Sequence, residues 1–145
     1  MIRQVTSGLK DYYNENIASF RNEEKRLIDI LYFSNTDNKS NKRIQEIKSN
    51  PILFNEEIFS LIISTAKKAG DKKLHIVGHT DRAGSSKYNM DLSERRAINV
   101  SLVLTERGMK AKSMKYSFQG EDNPATPTKD GVRSDNNRRV EAVFK

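Results

Sequence analysis

The strongest constraint on this chain is the stretch Gly78-His79-Thr80-Asp81-Arg82-Ala83-Gly84 and what flanks it. Leu74 to Val77, just before it, read as a short apolar strand. After it, a helix is expected to begin near Asp91 or Ser93 and to run to Arg107, with Gly108 as its stop. Ala97, Val100 and Leu104 would form its buried stripe, with Ile98 and Val103 on the flanks. A strand, a tight turn and a helix in succession demand an α/β arrangement. The turn presents an acid, Asp81, and the first turn of the expected helix presents a base, Arg96. Opposite charges on adjacent elements across one cleft suit a ligand that carries both signs.

Each charge has a plainer role to set beside that one. Asp81 follows a strand end, where loops carry function, but taken alone it reads first as a cap of its own turn. Gly84 allows a backbone bend that a side chain would obstruct, and amides in such a turn can face an anion. Arg96 is the more pointed signal. At the positive end of a helix dipole a cation is disfavoured, so its placement asks for an anion: Asp81, Glu94 or a ligand carboxylate. A guanidinium holds a carboxylate through two parallel hydrogen bonds, which lysine cannot do. Arg95 points about 100° away and is expected on the surface. Asn89, before the expected helix, can donate and accept, or simply close a turn. In Asn137-Arg138-Arg139, side chains alternate, so only one of the two arginines can face the cleft.

The 145 residues suit one domain with a real core. Residues 1–26 read as a helical extension and 27–145 as the domain. Leu9, Tyr13, Ile17 and Phe20 give the extension its stripe, over a helix expected at 5–26. Leu27 to Phe33 reads as a strand, Asn35 to Asn41 as a surface loop, and Lys42 to Lys48 as a short helix stopped by Ser49-Asn50-Pro51. A firmer helix is expected from Asn55 as N-cap, burying Ile58, Leu61, Ile62 and Ala66 and ending at Gly70. Met114, Tyr116 and Phe118 alternate with polar residues in one strand, and Val140, Ala142 and Phe144 in another. Between them Gly120 to Asn136 forms a long loop, which in compact domains is usually functional. The order predicts a two-layer α/β sandwich, α+β in composition, with helices on one face of a small mixed sheet.

The formal charge is +7, with +2 in residues 1–70 and +5 in 71–145. That balance favours polyanions, anionic lipid surfaces or carboxylate-bearing partners. Acids and bases are interleaved, however, and most of the excess reads as solvated surface. The absence of cysteine excludes disulfides and thiolate metal sites. His75 and His79 on one strand would lie about 13 Å apart, too far to share an ion, and no cofactor or metal is expected. No serine has a recognisable base and acid beside it, so an enzyme is not expected. No helix-turn-helix or base-stacking pattern accompanies the charge, so nucleic acid is not expected either. No run has the length of a membrane span, and Met1 to Lys10 lacks the apolar core of an export signal.

Several spaced motifs then carry a family resemblance. Gly78-His79-Thr80-Asp81, Gly84, Tyr88-Asn89, Leu92-Ser93 and Arg95-Arg96-Ala97 resemble the OmpA-like (OmpA/Pal/MotB-type) peptidoglycan-binding domain. Phe118-Gln119-Gly120-Glu121 with Pro124, and Asn137-Arg138-Arg139-Val140-Glu141, continue the match in order. The resemblance is close over residues 72–145 and looser back to Leu27. It implies a βαβαββ fold, here with an extra N-terminal helix, whose cleft binds the meso-diaminopimelate of a peptidoglycan stem peptide. By motif position Asp81 would meet the ammonium and Arg96 the carboxylate. Asn89, Arg139 and Thr80 match further cleft positions. It further implies a non-catalytic, periplasmic anchor of a cell-envelope protein, with other envelope proteins and a second copy of the chain as further partners. Membrane association would then depend on an upstream segment, and export on such a segment or on other means. The stretch from Ser34 to Asn55 is longer and more polar than the family usually has. The alternative is the same fold used for protein interaction without peptidoglycan.

Overall fold

The computed structural model describes residues 2–6, 8–9, 30–34 and 51–145. Its elements are β1 (Arg3–Gln4), β2 (Ile30–Ser34), α1 (Pro51–Ala66), β3 (Leu74–Gly78), α2 (Ser86–Glu106), a 3-10 turn (Ala111–Ser113), β4 (Met114–Phe118) and β5 (Arg139–Phe144). The strands form one mixed sheet in the order β1-β4-β3-β5-β2. β3 runs parallel to β4 and antiparallel to β5, and β2 runs parallel to β5. The chain therefore has the expected βαβαββ order, with both helices on one face of the sheet. The short strand β1 pairs antiparallel with β4 at the edge. No apolar alternation announces it, because two residues are too few to show a period.

Alternation on the central strands builds the core. Leu74, Ile76 and Gly78 are aligned with Met114, Tyr116 and Phe118 on one side and with Phe144, Ala142 and Val140 on the other. Against that face lie Ile58 and Ile62 from α1 and Ala97, Val100 and Leu104 from α2, all fully buried. Each large aliphatic side chain so buried contributes roughly 1.5–3 kcal/mol. Val5 and Leu9 join the same core. The helix expected at 5–26 otherwise lies outside the described residues, as do the loop at 35–41 and the helix at 42–48.

Two helix starts differ from expectation. α1 begins at Pro51, not after Asn55. Proline ends a preceding helix, but at the first helical position its missing N–H costs nothing and its fixed φ is already helical. α2 begins at Ser86, not at Asp91 or Ser93, and Ser85 is its cap, accepting a hydrogen bond from the Tyr88 amide at 3.2 Å. The periodicity argument failed because the first half of the buried stripe is polar. Asn89, Ser93 and Arg96 occupy it, and only from Ala97 onward is the face apolar.

Gly78 sets how closely α2 approaches the sheet. A Cβ at this position would stand 1.9 Å from the Ser93 carbonyl oxygen. Strand and helix meet backbone to backbone here, and no side chain fits between them. Gly78→Ala is accordingly expected to cost more than about 4 kcal/mol, a loss reserved for outright steric conflict. Gly70→Ala tests the comparison: its φ is 62° but nothing lies within 4 Å of the added Cβ, so only about 1–2 kcal/mol should be lost. Urea unfolding measures both, and equal losses would refute the role assigned to Gly78.

Candidate functional site

Beyond the end of β3 the chain passes under α2 as His79-Thr80-Asp81, and all three residues are buried. Backbone bonds fix this segment. The His79 amide donates to the Arg139 carbonyl at 2.9 Å and the Thr80 amide to the Gly120 carbonyl at 2.8 Å. The polar half of α2 then meets it. Arg96 Nη1 donates to the His79 carbonyl at 3.0 Å. Ser93 Oγ accepts from the Gly120 amide at 2.9 Å and donates to the Met90 carbonyl at 2.8 Å. Asn89 Nδ2 donates to Glu121. Arg96 thus lies midway along the helix, and the helix-dipole argument for a compensating anion falls away. The acceptor that accounts for its burial is a backbone carbonyl two residues before Asp81.

Asp81 is 6% exposed. Its Oδ1 accepts from the Ala83 amide at 3.2 Å, and its Oδ2 accepts from the Ser134 amide at 3.1 Å and from Arg138 Nη1 at 3.0 Å. Burial pushes the carboxyl pKa up. The Arg138 hydrogen bond, the two amides and the Arg138 charge outweigh burial and hold it below the usual carboxylate range. The group is an anion with three of its roughly four lone-pair positions used.

Of the residues singled out in the sequence, Thr80 and Asp81 lie in this loop and Arg96 reaches its His79 carbonyl, whereas Asn89 meets Glu121 beyond β4. Arg139 occupies the neighbouring strand face. Its Nε donates to Glu141 at 2.8 Å and its Nη2 to the Asn123 carbonyl at 3.0 Å. The arginine that meets Asp81 is Arg138, which also pairs with Asp135. Alternation shows that the two arginines diverge; it does not show which one meets the acid, because Arg138 precedes the strand and the path of the loop sets its direction. Asn137, just before β5, has a role of its own. It is fully buried, accepting from the Thr126 amide and donating to the Thr126 carbonyl, both at 2.8 Å, so that its side chain fastens the long loop. Buried polar atoms at this end with no hydrogen-bond partner among the described residues include Thr80 Oγ1, Asn89 Oδ1, Arg139 Nη1, Arg82 Nε and both ring nitrogens of His79.

The OmpA family model matches residues 53–138, more than half of the chain. The chain belongs to the OmpA family. A peptidoglycan-associated lipoprotein of Legionella pneumophila is 36% identical over 72 residues, half of this chain and 41% of that protein. A photosystem I P700 chlorophyll a apoprotein A2 of Gloeobacter violaceus is 32% identical over 104 residues, 68% of this chain but 12% of that protein. Among solved structures, the peptidoglycan-associated lipoprotein of Burkholderia pseudomallei superposes with a TM-score of 0.56 at 26% identity, over 61% of this chain and 75% of that one. The chain spans less than half the length of these two curated relatives.

One ionisable group inside this OmpA-family site is neutral at physiological pH. His79 is 2% exposed, and its Nε2 lies 3.6 Å from Glu141. Burial first, and then the Arg139 charge, lower its pKa from 6.5 to about 4, against a smaller opposing effect of Glu141. Unfolded chains take up this proton near pH 6.5 and native ones only near pH 4. Native stability should therefore fall as pH drops through that window, by a few kcal/mol in all. NMR titration of the imidazole, with urea unfolding of wild type and His79→Gln across the window, checks this. An equally steep fall in the variant would assign the effect elsewhere.

Proposed function

We propose that this OmpA-family domain binds peptidoglycan without processing it, through the meso-diaminopimelate of a stem peptide. What supports this reading is that one three-residue loop holds a buried, ionised Asp81 and also presents its His79 carbonyl to a buried Arg96. In it, the ligand ammonium takes the remaining lone-pair position of Asp81, and the ligand carboxylate takes the guanidinium edge of Arg96. Asn89 and Thr80 supply acceptors without a partner among the described residues, and Arg139 adds a buried donor. Similarity to a peptidoglycan-associated lipoprotein supports the same assignment. Such a module works in the periplasm and tethers its protein to the wall.

A second reading is the same fold used as a protein-interaction module, and Arg138 favours it. Its guanidinium already stands on Asp81, where an ammonium would have to share or displace it.

Pull-down with purified sacculi separates the two. Asp81→Asn and Arg96→Lys keep side-chain size or charge, and each should lower binding at least about ten-fold, the worth of one charged hydrogen bond. Sacculi carrying lysine in place of diaminopimelate lack the second carboxylate and should bind less well. Undiminished binding by both folded variants would sink the proposal.

A further inference from the structure

The end of the sheet opposite Asp81 gathers exposed lysines from several elements. Here β3 and β4 begin, β5 ends, and α1 and α2 run out. Lys67 and Lys68 follow α1, Lys72 precedes β3, Lys110 and Lys112 follow α2, and Lys145 follows β5; all six are exposed. None of their ammonium groups has an ion pair or hydrogen bond among the described residues. The acids placed among them are Asp71 and Glu106. Among the described residues these six lysines exceed the acids of the same segments by four, and Lys73 and Arg107 lie at the same element ends. At the Asp81 end, by contrast, Arg82, Arg138 and Arg139 are each paired with a carboxylate.

Between the lysines lies a depression of about 310 Å³. Ile63, Met109 and Phe144 contribute its apolar lining, with Lys67, Lys72 and Lys110 also bordering it. On the nearby open face of the sheet, His75 reports the field. Its pKa is lowered by burial first and then by the charges of Lys145 and Lys115.

We propose that this pole docks on an anionic phospholipid bilayer, with one headgroup in the depression and the surrounding lysines over its neighbours. Three features select that occupant. Lysines drawn from several elements suit a spread of headgroups better than a single phosphate. Lysine is a hydrated point charge without the planar fork that reads a defined partner, and it is depleted in protein interfaces. Among the described residues the exposed large hydrophobics, Ile2, Tyr88 and Val132, lie outside this cluster; the contact these residues offer is electrostatic and peripheral. The sequence alone reads the basic excess as solvated surface and membrane association as the task of an upstream segment. The fold changes that reading by concentrating lysines that are far apart in the chain. The inference does not depend on what Asp81 and Arg96 hold.

The test is co-sedimentation of the full chain with vesicles of equimolar phosphatidylcholine and phosphatidylglycerol, against phosphatidylcholine alone. Binding is expected only to the anionic vesicles, and it should weaken with added salt. Replacing Lys67, Lys72 and Lys110 together by Gln should lower affinity on the order of 100-fold, since each lysine near such a surface is worth roughly a factor of five. Replacing Lys87, Lys129 and Arg133 by Gln removes the same charge from elsewhere and should leave binding intact. Unchanged urea midpoints verify the fold of each variant. Equal weakening by both triple variants, absent binding to anionic vesicles, or tighter binding to soluble polyglutamate or RNA than to vesicles would each overturn the proposal.

Discussion

The candidate site depends on a contact that contains no side chain on one of its partners. Where Gly78 ends β3, the Ser93 carbonyl of α2 occupies the space a Cβ would need. That closeness brings the first half of α2 within hydrogen-bonding reach of the loops after β3 and β4. Ser93 takes the Gly120 amide, Arg96 the His79 carbonyl, and Asn89 Glu121. A polar helix face can be buried only where such partners meet it, since an unsatisfied buried polar group costs several kcal/mol at worst. The same backbone approach that builds the core therefore also requires the loops to be where they are.

Polarity divides along the molecule as a result. From Ala97 to Leu104, α2 contributes aliphatic surface to a core shared with Ile58, Ile62, Leu74 and Ile76. From Asn89 to Arg96 the same helix face contributes hydrogen bonds. The acidic and basic side chains near that polar half are interlocked, with Asp81 held by two amides and Arg138. The opposite pole has no comparable network among the described residues. Its lysines extend from chain ends that the topology gathers together, without a partner to fix them. One end of the domain is thus suited to a small, geometrically defined ligand, and the other to a diffuse charged surface.

The long loop from Gly120 to Asn136 is organised by few residues for its length. Asn137 at its base clamps Thr126 through both amide atoms. The Gly131 amide reaches the Arg82 carbonyl, and the Ser134 amide reaches Asp81. Asp81 therefore serves the loop as a structural acceptor at the same time as it stands in the candidate site. Its plainer role as a cap of its own turn is real, through the Ala83 amide, and does not compete with the other.

Local pattern was enough for what short-range physics controls. The alternation in Met114–Phe118 and Val140–Phe144 made strands, the aliphatic spacing from Ala97 to Leu104 made a helix, and the motif order marked the family and the loop that carries Asp81. What the sequence could not settle were features whose partners lie far away in the chain. The first turns of α2 have no apolar stripe, because their buried face is satisfied by Gly120, Glu121 and His79. Arg138 rather than Arg139 meets Asp81 because a seventeen-residue loop sets the approach. The lysine pole exists only once three chain segments, 67–72, 110–112 and the residue after β5, are brought to one end of a sheet. Hydrophobic periodicity records which way a side chain faces within its own element, whereas a hydrogen-bond partner or a summed electric field belongs to the assembled fold.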